Sequence, residues 1–416
     1  MNHRIQRVRK YATALIIGLG AVPGMSAALT LEEAIELAEQ QAPSLAARNA
    51  SLQAAQNLVT PAGELPDPRL SVGVQNLPIE GDSSLRLGAE RMTAQMIGVM
   101  QEVPNRAKRR ARVRTAEASV ELARVERTVE RLQVRQFTAE AWIATLSAEQ
   151  KLGIFDELYA ENRLLAQAVK ARIASGRGLS SDSVLPKQEA ALLAEKQDVL
   201  VRNEAVARAQ LRSWIGAAAS QPLEGSWPAW PADFDHYRHN LHRHPELLAF
   251  DPMLDRAEAK IAEAISEKRP DWAWGLDYKR RSEFGDMVSF NVSFDLPVFA
   301  GSRQDPKISA ERARLAEIEA ERQAMLRMHN QELATELAEM QRLEQALARV
   351  EMTLLPLAEE KVRLAMADYR SGSGELTTVI AARQELIDLR LRRVELAGER
   401  SMLNARLHFS FGDTQP

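Results

Sequence analysis

The sequence predicts a mainly α-helical protein with a small membrane-type β part, on three observations. Charged, alanine-rich stretches with a seven-residue apolar repeat fill most of the 416 residues. Glycine-bearing breaks interrupt these stretches at two matching places. A few isolated segments alternate apolar and polar side chains. In "VSFNVSFDLP", Val288, Phe290, Val292, Phe294 and Leu296 share one face, and Ser289, Asn291, Ser293 and Asp295 share the other.

Residues 1–28 have the form of a secretory signal peptide. Arg4, Arg7, Arg9 and Lys10 make a basic start, "YATALIIGLGAV" is a short apolar core, and small residues lead to cleavage near Ala28. The apolar run is too short to span a bilayer, which takes about 20 residues. The expectation is a mature chain exported from the cytoplasm.

Two repeats follow, 29–216 and 217–416. "SGRGLSSDSVLPKQE" from Ser175 matches "SGSGELTTVIAARQE" from Ser371 in its start, its glycines and its final Gln-Glu. "LRSWIG" from Leu211 and "LHFSFG" from Leu407 keep the same offset, and "QAPSL" pairs with "RHPEL" so that Pro43 corresponds to Pro245. Landmarks that keep their order mark a tandem duplication.

Each repeat has one plan. A helix opens the first repeat at "TLEE", where Thr30 and Glu33 form a capping box. Paired strands are expected at about 69–77 and 92–103, and again at about 271–280 and 287–296. Helical hairpins are expected over 106–215 and 305–410, the second repeat starting with a linker over 217–242. The first long helix keeps Leu122, Val125, Val129, Leu132, Ala139, Ile143 and Leu146 on one seam, with Gln136 interrupting. The second runs Leu333, Leu337, Met340, Leu347 and Leu354, with Glu344 and Glu351 between. A helix of about 65 residues is roughly 100 Å long. Pro356 lies inside the second long helix, where it removes a backbone hydrogen bond and is expected to kink it.

Four strands cannot stand alone or close a cylinder. A membrane forbids open sheet edges, and the smallest membrane barrels have about eight strands. The missing strands must come from other copies of the chain. Three copies would supply twelve, but composition alone does not choose three over two or four. The competing arrangement is a small soluble sheet buried against helices.

Composition removes several functions. There is no cysteine, hence no disulfide, thiolate site or lipidated cysteine, and a net charge of −3 leaves no nucleic-acid footprint. No nucleophile–base set, phosphate loop or HExxH site occurs, so neither an enzyme nor a cofactor is expected. The basic run "NRAKRRARVR" from Asn105 starts a helix just below the strands, where salt bridges or the membrane's inner rim explain it.

Taken together, "LTLEEAIELAEQQAPSL", the repeated strand-pair-and-hairpin order and "LLPLAEEKVRLAMADYRSGSGELTTVIAARQEL" resemble the TolC-type outer-membrane efflux protein family. The resemblance implies a homotrimer in outer-membrane lipid. Its shared twelve-stranded β-barrel would continue into a trimeric α-helical barrel in the periplasm. It also implies a passive exit duct that meets a periplasmic membrane-fusion adaptor and an inner-membrane pump. The tips would then touch the adaptor and gate the tunnel through Gly176, Gly178, Leu179, Asp182, Gly372, Gly374, Glu375 and Thr378. Where the best-studied relative narrows its tunnel with aspartates, this chain has Thr378 and Ala381, which leaves Asp182 and Glu375 as candidates for an acidic ring.

"QNLPIEGDSSLRLGAERMTAQMIGVMQEVPNRAKRRAR" is similar to the heavy-metal subset, which favours an RND-type pump and metal-ion cargo. The alternatives are a drug or protein secretion duct of the same family, or a periplasmic coiled-coil adaptor. Candidate metal ligands are His236, His239, His242 and His244, close together in "HYRHNLHRHPE". His244 occupies the slot of Ala42 in the other repeat, so the fold does not require an imidazole there. Met92, Met96 and Met100 recur every four residues, a spacing that spreads thioethers along a strand instead of gathering them.

Overall fold

The computed structural model describes residues 28–231, 234–282 and 284–412. The signal peptide before Ala28 lies outside them. Helix α1 (Leu31–Gln41) begins at the expected capping box: Thr30 Oγ1 accepts from the Glu33 N–H, and the Glu33 carboxylate accepts from the Thr30 N–H at 3.0 Å. Helix α2 (Pro43–Gly63) starts on its proline, whose missing N–H costs nothing in a first turn. Strands β1 (Arg69–Gln75) and β2 (Ala94–Val103) lead to α3 (Arg106–Ala174). That helix has 69 residues, a rod of about 100 Å.

A short 3₁₀ turn, Ser180–Ser183, opens the return helix α4 (Leu185–Ile215). The second half carries α5 (Phe234–His239), α6 (Pro245–Leu248), α7 (Phe250–Ser266), β3 (Trp272–Arg281) and β4 (Phe284–Phe294). Helix α8 (Gln304–Arg349) passes through a π-turn (Val350–Leu354) into α9 (Leu355–Ser371), and α10 (Leu376–Phe411) returns. No helix among the described residues is long and apolar enough to cross a membrane.

The heptad seam of α3 is realised, with Leu122, Leu132, Ala139, Ile143 and Leu146 buried. The seam of the second hairpin needs correction at Leu354. Leu333, Leu337 and Met340 are buried as expected, but Leu354 points outward and Leu355 replaces it inside. The π-turn inserts one residue and advances the stripe. Pro356 sits in the first turn of α9, immediately after that turn, so the expected irregularity takes the form of a local widening.

The largest apolar cluster lies at mid-height, where Trp142 packs against Leu29, Ile215, Ala219 and Phe409. The inter-repeat segment straps this belt. Leu29 bridges in parallel to Leu223, and Trp142 Nε1 donates to the Leu29 carbonyl at 3.2 Å. Asn404 brackets Trp230 by accepting from its N–H at 2.7 Å and donating to its carbonyl at 3.0 Å. Nearer the tips, Leu165 and Val169 of α3 pack against Tyr369, Leu376 and Val379, so the two hairpins lie side by side.

Candidate functional site: an amphipathic sheet, two glycine tips and a histidine pocket

The four strands form one antiparallel sheet in the order β1-β2-β3-β4, leaving an unpaired edge on β1 and another on β4. Register decides what the two faces offer. One row across the sheet is Leu70, Val99, Leu276 and Phe290, and another is Val72, Ile97, Tyr278 and Val288. All eight side chains are exposed, Phe290 at 68%. The opposite face carries Ser71, Gly98, Asp277 and Ser289, then Gly73, Met96, Lys279 and Met287. The apolar rows of the sheet are therefore not buried against the helices of this chain. "MTAQMIGVMQEV" forms a regular strand from Ala94, so Met96 and Met100 share the polar face while Met92 precedes the strand.

The sheet joins the helical rod through one carboxylate. Asp271, just ahead of β3, accepts from the Asn105 N–H at 2.7 Å and from Lys108 Nζ at 2.8 Å, while Asn105 caps α3. Burial pushes the Asp271 carboxyl up, but these donors outweigh it and hold it below the usual range. With Arg112 bound to Glu263 at 2.8 Å, the expected salt bridges of the basic run are present.

At the far end both tips use the same device. Gly176 (φ +72°) and Gly372 (φ +93°) end α3 and α9 in the left-handed region that glycine adopts without strain. The second glycine of each pair lies against the helix just left. A Cβ on Gly178 would stand 3.2 Å from the Ile173 nitrogen, and one on Gly374 would stand 2.8 Å from the Asp368 Cβ. Leu179 and Thr378 are exposed. Asp182 accepts from the Leu179 N–H at 3.3 Å, and Glu375 accepts from the Thr377 hydroxyl at 3.1 Å, so each carboxylate braces its own turn.

The contacts that hold the hairpins together were not among the residues picked out from sequence. The Arg172 guanidinium lies 4.2 Å from the Tyr369 ring centroid, joining α3 to α9. Burial, then the nearby Asp182 charge, raises the Tyr369 phenol above its ordinary value. This contact bridges positions far apart in sequence, and a single-helix period carries no trace of such a pair.

The four clustered histidines part company in the fold. His236 meets the Asn240 side-chain amide at 2.9 Å, His239 Nδ1 lies 2.6 Å from the Asp235 carbonyl, and His242 is exposed. Only His244 turns inward, because it caps α6 with Nδ1 accepting from the Glu246 N–H at 3.3 Å. Its companion comes from α8: the His329 ring lies against it, tilted by 31° with centroids 3.6 Å apart. Burial, then the adjacent His329, pushes the His244 imidazole down to about 3, so it is neutral. His244, Glu246 and His329 each bring a ligand atom within 4.8 Å of the other two. They line a cavity of about 390 Å³ together with Gln136, Glu332 and Arg406. The sequence grouping identified His244 but missed Glu246 and His329.

Two turns beyond His329 on α8, Glu336 is buried beside Arg406, its Oε1 3.6 Å from Nη1. Burial dominates, and the carboxyl is pushed up to about 7 despite the guanidinium.

Residues 237–413 match the model of the outer membrane efflux protein family. The chain is 26% identical over 382 residues to the cobalt-zinc-cadmium resistance protein CzcC of Cupriavidus metallidurans, covering 89% of this chain and 87% of that protein. The fold is similar to that of the outer membrane protein VceC from Vibrio cholerae, with a TM-score of 0.76, 18% identity, and coverage of 92% of this chain and 96% of VceC. CusC gives a TM-score of 0.78 at 14% identity, with 92% of each chain covered.

Proposed function

Starting from this likeness to the outer membrane efflux proteins, which bears out the resemblance read from the sequence, we propose that the chain is the outer-membrane exit duct of a tripartite efflux system. One observation carries the reading: a four-stranded sheet with a continuous exposed apolar face and two open edges stands on helical hairpins about 100 Å long. In lipid, both edges must find partners. Pairing β4 of one copy with β1 of the next satisfies them, and three copies make a cylinder with the apolar rows outward and Ser71, Asp277, Lys279 and Ser289 lining the lumen. Trimerisation, a periplasmic adaptor at the tips and an inner-membrane pump of the RND type are parts of the same proposal.

The cargo we propose is heavy-metal ions, supported by the similarity to CzcC, whose name states cobalt, zinc and cadmium resistance. No catalytic step is involved; the chain supplies a path, and transport energy comes from the pump. A path of this kind favours weak contacts, since tight binding slows release. The test is a deletion strain challenged with Co, Zn, Cd, Cu and Ag salts alongside drugs and detergents. Sensitivity to metals that a plasmid copy reverses is the expected result. Sensitivity to drugs alone would move the protein to the drug-export reading. Native mass measurement of the detergent-purified chain tests the assembly, three copies being expected.

A further inference from the structure

We propose that His244, Glu246 and His329 form a binding site for one divalent first-row transition cation per chain, Zn²⁺ or Co²⁺, that clamps α6 to α8. The proposal concerns a bound ion inside the helical belt and is independent of what the duct carries.

The donor set has the right chemistry. Two imidazoles and one carboxylate make the three-ligand set of an open zinc site, and a fourth position falls to water. The adjoining cavity of about 390 Å³, which all three residues line, has room for that water. No thiolate or thioether is in the set, so it suits borderline cations over Cu(I) or Ag(I).

The second observation is an unpartnered buried nitrogen at His329. Its side chain is only 4% exposed, and its Nδ1 lies 3.1 Å from the Glu332 carboxylate. Nε2 stands 3.2 Å from Glu246 Oε2, yet makes no aligned hydrogen bond. A buried ring nitrogen without a hydrogen-bond partner is costly, and a cation between it and the Glu246 carboxylate would satisfy both. Glu332 behind His329 is the carboxylate that commonly fixes the tautomer of a ligating histidine.

The other half of the chain provides a control. Ala42 holds the position before Pro43 that His244 holds before Pro245, and α2 forms without any side-chain cap bond. An imidazole at 244 is therefore more than the fold needs. Bringing three ligand atoms from within 4.8 Å to tetrahedral separation asks for movements of about an ångström, which the partly exposed Glu246 can follow, and His244 gives up its long 3.3 Å bond from the Glu246 N–H, since a neutral imidazole has one lone pair.

The full-length protein in detergent, stripped with EDTA, should bind one equivalent of Zn²⁺ per chain by calorimetry. Co²⁺ should give the intense visible bands of a four-coordinate ion, and Zn²⁺ should raise the melting temperature. His244→Ala, which copies Ala42, and His329→Gln should each lose this equivalent, at least tenfold in affinity, whereas His239→Ala and His242→Ala should keep it. Circular dichroism identifies any variant that fails to fold, and Glu246→Gln then serves in its place, with a smaller expected loss. Binding that survives His244→Ala and His329→Gln would overturn the site. So would a wild-type protein that takes up no Zn²⁺ or Co²⁺, or that takes up only Ag⁺.

Discussion

Arg383 of α10 donates from Nε to Glu189 Oε1 of α4 at 2.8 Å, and both side chains are almost wholly buried, at 7% and 1% exposure. Asn162 of α3 completes the site by donating to Glu189 Oε2 at 2.7 Å, and Glu161 accepts from Arg383 Nη1 at 3.2 Å. This knot ties the second hairpin to both arms of the first. Removing one partner leaves a charge that water cannot reach.

Arg383→Met should therefore destabilise the protein by about 3–5 kcal/mol, as expected for orphaning a buried charge. Arg390→Ala removes a looser pair, 3.4 Å from Glu161, and should cost about 1 kcal/mol or less. Chemical denaturation of both variants measures the contrast. Equal losses would remove the special role of Glu189.

The sheet predicts a face-specific response. Phe290→Arg places a charge in the apolar row and should cost about 2–4 kcal/mol of membrane stability if that row lies near mid-bilayer. Ser289→Arg, one residue away on the polar face, should leave insertion intact. Heat-modifiable gel mobility and membrane fractionation report both.

The expected effect at the tips follows from sterics. Gly374→Ala drives a Cβ to 2.8 Å from the Asp368 Cβ, while Gly372→Ala forces a left-handed alanine at φ +93°. Each should loosen its tip, Gly372→Ala by about 1–2 kcal/mol. Bilayer recordings should show more frequent opening in both variants. Gly153→Ala, where added bulk meets nothing, is the silent control.

The raised carboxyl of Glu336 makes a pH prediction. The folded protein keeps this proton up to about 7, whereas the unfolded chain releases it near 4.5. The stability so gained is complete below the unfolded value and is lost as pH rises through about 7. Glu336→Gln abolishes that loss, and should stabilise the protein by about 2 kcal/mol near pH 8 with little effect near pH 4. Melting curves of wild type and variant across this range provide the measurement.

The heptad seams, the paired glycines and the alternation of "VSFNVSF" placed the long helices, the tips and the strands within a few residues of where they lie. These are local patterns, and local backbone preference reports them. β4 starts three residues before the expected boundary because its turn closes with Arg281 opposite Phe284. Cross-chain register sets that feature. Leu354 was misassigned for a related reason: one extra residue in a π-turn leaves no mark in composition. The histidine cluster misled because nearness along the chain differs from nearness in space. His236, His239 and His242 stay on the outer segment, and the partner of His244 comes from a helix eighty-odd residues further on.

The surplus residue in the π-turn has a mechanical corollary. Every side chain below Leu354 is rotated by about 100° relative to an uninterrupted helix. Leu337 and Met340 above the turn share one apolar cluster with Leu355 and Ala358 just below it, and Ala365 and Tyr369 belong to the tip cluster. The turn thus re-phases the rod, as an offset coupling does a shaft, and both stretches keep a buried stripe. Repacking around Tyr369 at the tip then leaves the phase of the stretch above the turn unchanged.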